Sequence, residues 1–158
     1  MNYLSRQILF REIPEEVSLS YLITGCPVRC SDCHSKDSWN LRAGQLLSPD
    51  RLRADLAKYS KWITCVLFMG GEWQAEQFLL LLQIVRESGI KTALYTGLED
   101  VGPELKVKLN YLKTGPYRAE LGGLDSASTN QKLIEVSSGR SLNYYFSPQQ
   151  QGTMEGEL

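Results

Sequence analysis

The fold of this chain is decided by residues 62–71, which read WITCVLFMGG. Side chains from 62 to 69 are apolar almost throughout, whereas a strand with one solvated face would alternate apolar and polar residues. An apolar run of this kind is typical of a strand that is covered on both faces, as in a parallel sheet. We therefore predict a buried strand over residues 62–69, ended by Gly70 and Gly71.

Helical patterns flank this strand on both sides. Before it, Ser48 is a suitable N-cap, Pro49 suits the first helical position, and apolar residues follow at helical spacing. After it, residues 74–88 carry apolar side chains on one face, Gly89 provides a stop, and residues 91–95 favour a short strand. Strands and helices thus alternate, which predicts right-handed βαβ units and a parallel sheet.

The remaining segments carry weaker signals. Two upstream strands are predicted over 7–13 and 18–24, and the later predictions are a helix over 104–109, a strand over 111–113, a loop over 114–130 and strands over 132–136 and 142–146.

The length of the chain limits the architecture. Its 158 residues suit one domain. A complete eight-unit βα barrel needs ~250 residues, so we expect an α/β fold built as an open sheet or as a partial (β/α) barrel of mostly parallel strands. Residues 1–147 are assigned to this domain, and residues 148–158, which include several glutamines, are expected to form a flexible C-terminal tail.

Charge and hydropathy narrow the classes of partner. Lysine and arginine total 17 against 18 acidic residues, a formal net charge of -1, so there is no cationic field to hold a polyanion. We therefore expect no nucleic-acid partner. No apolar run has the length of a signal peptide or a membrane span, so we expect no membrane association and a cytoplasmic location.

Three of the four cysteines are clustered. Cys26, Cys30 and Cys33 form a Cys-x3-Cys-x2-Cys motif just after a predicted strand, while Cys65 stands apart within another. Three thiolates so closely spaced can wrap one soft metal centre. Because cubane iron-sulfur clusters usually take four cysteines, three would leave one iron open for chemistry. The alternative is a structural zinc site, completed by His34 or Cys65.

Three candidate site residues follow the carboxyl ends of three predicted strands. Cys26, Gly70 and Thr96 each lie just beyond the carboxyl end of a predicted parallel strand. Ligands bind at the carboxyl ends of strands in α/β sheets, so these positions are expected to share one rim.

The cysteine motif, together with Gly70-Gly71-Glu72 at the end of the next strand, resembles the radical S-adenosylmethionine (SAM) enzymes. More narrowly, the chain resembles the family of activating proteins of anaerobic ribonucleoside-triphosphate reductase, through ITGCP at 23–27, CHS at 33–35, YTG at 95–97, LKTGPY at 112–117 and STNQ at 128–131. Trp73 stands where the family commonly has proline.

The resemblance implies a partial barrel of the radical SAM type, a [4Fe-4S] cluster and S-adenosyl-L-methionine. By this resemblance, the cluster ligands are Cys26, Cys30 and Cys33, and Gly70, Gly71 and Glu72 bind the methionine amino group. Thr96 is a further cofactor-binding candidate, as a ribose contact. The alternatives are that Glu72 only caps the second helix and that Thr96 is an ordinary strand end. No catalytic residue beyond the cluster ligands is implied.

The resemblance also implies a function. The protein would cleave SAM reductively and generate a glycyl radical on the large subunit of anaerobic ribonucleoside-triphosphate reductase, with a one-electron donor such as flavodoxin. Two alternatives stay open: another small radical SAM enzyme, acting on a different glycyl radical enzyme or on a small molecule, and a non-catalytic zinc-binding module.

Overall fold

The computed structural model describes residues 1–148. The predicted C-terminal tail, residues 148–158, lies outside the described residues except for Pro148.

A single mixed sheet forms the centre of the described chain, and it has eight strands. The strands are β1 (Asn2–Leu9), β2 (Ser18–Ile23), β3 (Gln45–Leu46), β4 (Cys65–Met69), β5 (Lys91–Tyr95), β6 (Tyr111–Thr114), β7 (Lys132–Glu135) and β8 (Arg140–Ser141). Their order is β3-β1-β2-β4-β5-β6-β7-β8. The four central strands, β2, β4, β5 and β6, are parallel, and each marginal strand pairs antiparallel with its inner neighbour. The predicted α/β class is confirmed, and the parallel strands form the centre of the mixed sheet.

Three helices connect the parallel strands: α1 (Pro49–Tyr59), α2 (Ala75–Glu87) and α3 (Pro103–Lys106). The start of α1 follows the prediction, because Ser48 Oγ accepts a hydrogen bond from the Arg51 backbone N–H at 3.1 Å and Pro49 is the first helical residue. The predicted helix after β4 and the strand over 91–95 are also present.

The sheet is covered on both faces, which explains the apolar run that decided the fold. Val66 and Phe68 of β4 face a core built with α1 and α2. Cys65 and Leu67 alternate with them and face a second, smaller cluster, formed with Ile13 and the segments that follow β6 and β7. Helices thus cover one face, and loops cover the other.

Several predicted boundaries are wrong. β4 begins at Cys65 rather than at residue 62, and Trp62 is 67% exposed in the turn after α1. The first strand spans Asn2–Leu9 rather than 7–13, because the chain leaves the sheet after Leu9 and buries Ile13 in the smaller cluster.

The strand predicted over 142–146 is also wrong, since Asn143–Phe146 form a 3-10 helix. The Asn143 side chain provides the reason. Its Oδ1 accepts a hydrogen bond from the Leu133 N–H, and its Nδ2 donates to the Gln131 carbonyl, both at 2.9 Å. The amide therefore pairs with the backbone at β7 in place of a continuing strand. Within residues 1–148, no helix is both long and apolar enough to span a bilayer.

Candidate cluster and cofactor site

The three segments expected to share a rim do meet at one edge of the sheet. β2, β4 and β5 are parallel neighbours, with Leu22 opposite Met69 and Met69 opposite Tyr95. The loops that follow them carry the cysteine motif, the Gly-Gly-Glu segment and Thr96. The carboxyl ends of three adjacent strands therefore present all the predicted site residues.

The cysteine loop is a tight turn with partly buried thiols. Cys26, Cys30 and Cys33 are each of intermediate exposure, and none is in a disulfide. The Cys33 N–H donates to the Cys30 carbonyl at 3.1 Å, and the Ser35 N–H donates to Cys33 Sγ at 3.4 Å. Arg29, inside the motif, adopts a φ of 49°, a left-handed conformation that is uncommon for a residue with a side chain.

Cys26 lies in the electrostatic field of the other site residues. Burial raises the pKa of its thiol, and the charges of Glu72 and Cys30 act in the same direction. Backbone N–H groups of Val28 and Arg29 hydrogen-bond to the sulfur and oppose the rise in pKa. Such N–H donors favour the thiolate, the form that binds metal.

The zinc alternative needs a fourth ligand, for which the sequence offers Cys65 or His34. Cys65 is the first residue of β4, so at ~3.3 Å per residue it lies roughly 13 Å from the strand end that bears the site. His34 is exposed and packs edge-on against the Tyr117 ring, with centroids 5.0 Å apart. In residues 1–148, no three His, Cys, Asp or Glu side chains are grouped to hold a metal ion, and this holds for the three cysteines of the loop as well.

The Gly-Gly-Glu segment is a sharp turn that leaves β4. Gly70 and Gly71 have φ values of 89° and 117°, a region that favours glycine, and a 3-10 turn over Glu72–Gln74 follows. The Gly70 N–H donates to the Tyr95 carbonyl at 2.9 Å, which ties the turn to β5.

Glu72 has one satisfied and one free carboxylate oxygen. Its Oε1 accepts a hydrogen bond from Thr96 Oγ1 at 2.5 Å, whereas Oε2 is buried without a partner in the described chain. Burial raises the pKa of Glu72, and hydrogen bonds from Thr96 and from the backbone N–H of Glu72 itself oppose the rise. A buried carboxylate oxygen without a partner is unfavourable alone and suits a cationic group. The residues present therefore fit the amino group of SAM.

Two further residues of this edge had no role assigned from the sequence, although Trp73 was noted as a departure from the family. Lys113 on β6 lies opposite Tyr95, with its Nζ 4.7 Å from the centre of that ring. Burial lowers the pKa of Lys113 to about 8, opposed by the nearby Cys30. The Trp73 indole packs against Gly70, and its buried Nε1 has no partner among the described residues. The sequence signal that could have identified Lys113 is strand alternation, because it places position 113 on the loop-covered face of β6.

Comparison with known proteins agrees with this geometry. The 4Fe-4S single cluster domain family matches residues 15–111, which include the cysteine loop, the Gly-Gly-Glu turn and Thr96. The chain is 36% identical over 78 residues to the pyruvate formate-lyase-activating enzyme of Clostridium pasteurianum, covering 46% of this chain and 33% of that protein. It is 28% identical over 98 residues to the 7-carboxy-7-deazaguanine synthase of Hyperthermus butylicus, covering 62% of this chain and 36% of that protein.

The match therefore spans about a third of the length of each of these relatives. The family match spans well over half of the chain and contains every residue predicted at the site. The chain belongs to the 4Fe-4S single cluster domain family within the radical S-adenosylmethionine superfamily, and its cofactors are a [4Fe-4S] cluster and S-adenosylmethionine.

Proposed function

We propose that this protein is a radical SAM activase that cleaves SAM reductively and generates a glycyl radical on a partner enzyme. The observation that carries the proposal is the buried, unpaired Oε2 of Glu72, at the same strand edge as the cysteine loop. The loop that carries the three cysteines follows β2, the strand that pairs with β4, and therefore lies at the same edge of the sheet. We further propose that residues 1–147 form one radical SAM domain, in which the parallel centre of the sheet forms a partial (β/α) barrel.

The proposed ligands are the three clustered thiolates, Cys26, Cys30 and Cys33. When bound, the cluster supplies the electron that cleaves SAM to methionine and a 5'-deoxyadenosyl radical. The chain holds the reacting sulfonium in place. Glu72 Oε2 accepts a hydrogen bond from the SAM ammonium, and the glycine turn allows close approach of the methionine portion. Positioning and water exclusion are what the protein contributes.

The proposed substrate is a backbone glycine of another protein. The similarity to the pyruvate formate-lyase-activating enzyme supports an activase. Anaerobic ribonucleoside-triphosphate reductase is proposed as the partner because the ITGCP, LKTGPY and STNQ motifs resemble those of its activating proteins. A one-electron donor such as flavodoxin completes the proposed system.

A second candidate is a radical SAM enzyme that acts on a small molecule. The similarity to the 7-carboxy-7-deazaguanine synthase favours it, since that relative is a synthase rather than an activating enzyme. The two candidates differ in where the radical ends. An activase leaves it on a glycine of the partner protein, and a small-molecule enzyme leaves no radical on a protein.

Electron paramagnetic resonance of an anaerobic mixture tests the proposal. The cluster-loaded protein, a reductant, SAM and the large reductase subunit are expected to give a glycyl radical signal on the reductase, and SAM cleavage is expected to accelerate. Cys26→Ala should abolish both because a ligand is lost, whereas the matched control Cys65→Ala, at the far end of β4, should retain them. Fast SAM cleavage with or without the reductase and no protein radical would favour the small-molecule candidate.

SAM affinity tests the site itself. Glu72→Gln keeps the shape of the side chain but removes the negative charge. Loss of a charge-assisted hydrogen bond is worth ~1.5 to 3 kcal/mol, so SAM should bind roughly ten- to hundredfold more weakly while iron content stays unchanged. Glu76→Gln, at an exposed position in the first turn of α2, is the control and should bind as the unmodified protein does. Equal affinities for the two variants would contradict the assigned role of Glu72.

A further inference from the structure

The hydroxyl of Thr96 is engaged within the protein. It donates its proton to Glu72 Oε1 at 2.5 Å and accepts a hydrogen bond from the Leu98 N–H at 3.0 Å. A hydroxyl has a single proton to donate. Thr96 is only 5% exposed, and its own N–H donates to the Lys113 carbonyl at 2.9 Å. It therefore has no proton left to donate to a ribose oxygen unless it releases Glu72, and only one lone pair of its oxygen remains as an acceptor.

The two hydrogen bonds of the Thr96 hydroxyl fix the orientation of the Glu72 carboxylate. The Leu98 N–H occupies one lone pair of Oγ1, which turns the hydroxyl proton toward Glu72. Threonine is stiff at χ1, and its backbone is fixed at the end of β5. The hydroxyl is thus a rigid donor that captures one carboxylate oxygen, Oε1, and leaves Oε2 as the free acceptor.

We infer that Thr96 is a positioning residue for Glu72 rather than a hydrogen-bond donor to the ribose. Its hydroxyl orients the carboxylate so that Oε2 points to the SAM ammonium. The inference rests on the proposed role of Glu72 at the amino group. This role replaces the ribose contact that the sequence suggested for Thr96. Recognition of the SAM amino group would then depend on two side chains, Glu72 and Thr96, which follow the adjacent strands β4 and β5.

Ligand analogues separate the two roles of Thr96. The ligands are SAM, an analogue in which the amino group is replaced by hydrogen, and an analogue without the ribose 2' and 3' hydroxyls. Thr96→Val removes the hydroxyl with little change of shape, and Thr96→Ser keeps it. Equilibrium binding to the cluster-loaded protein is measured by calorimetry, and urea unfolding shows which variants are folded.

Thr96→Val should weaken SAM binding about tenfold, Thr96→Ser should largely restore it, and the loss should vanish with the analogue that lacks the amino group. A loss that persists with that analogue but vanishes with the ribose analogue would overturn the inference, since Thr96 would then act on the ribose. If Thr96→Val does not fold, Thr96→Ala carries the same comparison.

Glu72→Gln distinguishes failure of the inference from failure of the proposed function. If Glu72→Gln removes the preference for SAM over the analogue without the amino group, while Thr96→Val retains it, the positioning role alone is overturned. If Glu72→Gln retains that preference, the proposed role of Glu72 is wrong and the inference falls with it. If both variants remove the preference and Thr96→Ser keeps it, the positioning role is supported.

Discussion

Replacing Gly70 by alanine should destabilise the protein through two separate effects. The first is backbone strain, because Gly70 has a φ of 89° and an alanine in the left-handed region costs ~1 to 2 kcal/mol. The second is a steric clash. A Cβ at position 70 would lie 2.3 Å from Cη2 and 2.8 Å from Cζ3 of Trp73, well inside the ~3.5 to 4.0 Å of a favourable carbon contact.

Gly71 provides a matched control beside it. Its φ is 117°, so Gly71→Ala meets comparable backbone strain, but the added Cβ would approach no atom more closely than 3.4 Å. Overpacking of a well-packed site costs ~1 to 3 kcal/mol. The free energy of unfolding should therefore fall by ~1 to 2 kcal/mol in Gly71→Ala and by ~2 to 5 kcal/mol in Gly70→Ala.

Urea unfolding of the reduced, metal-free chain measures both values, and a double-mutant cycle isolates the clash. In a Trp73→Leu background the indole is gone, so Gly70→Ala should cost only the backbone strain, while the cost of Gly71→Ala should not change. Equal losses for the two alanine variants, or an effect of Gly70→Ala that is independent of residue 73, would refute the reasoning.

Two further predictions concern groups away from the cluster loop. Because Cys65 is fully buried, which raises its thiol pKa to about 12, iodoacetamide should modify it in the native metal-free chain far more slowly than the other cysteines, and equally fast in denaturant; mass spectrometry of the labelled chain checks this. Burial raises the pKa of Asp55, but hydrogen bonds from Tyr21 and Arg6 outweigh it and hold that pKa below its ordinary value. Its stabilising effect should be complete above the ordinary pKa of ~3.9 and disappear as the pH falls through the lower folded pKa, so the ~3 to 5 kcal/mol lost in Asp55→Asn at neutral pH should shrink in acid. A difference in unfolding free energy that does not change with pH would contradict the second prediction.

The parallel centre of the sheet was predictable because local signals agree there. Ser48 and Pro49 begin α1, and a strand was expected over 91–95, where β5 lies. These elements need only capping, periodicity and stop signals, all of which are written within a few residues of one another. Their alternation then places three loops at one edge, which is how the cysteine loop, the glycine turn and Thr96 could be grouped.

The margins of the sheet could not be predicted in this way. β3 and β8 contain two residues each, too few for any periodic pattern, and they exist through pairing with β1 and β7. The conformation of the last described residues depends on the side-chain amide of Asn143, which forms hydrogen bonds with the backbone of residues ten and twelve positions earlier. Such pairings are set by tertiary structure and override the propensity of the local sequence.

The same distinction applies inside the candidate site. Residue types and spacing indicated which residues belong there, but not which atoms are already engaged. Thr96 and Glu72 are 24 residues apart, and their contact arises because β4 and β5 end side by side. Since the Thr96 N–H in turn pairs with the Lys113 carbonyl, the end of β6 is tied to the same arrangement. The free oxygen of Glu72 is therefore a product of strand register, because the neighbouring strand end supplies the hydroxyl that occupies the other oxygen.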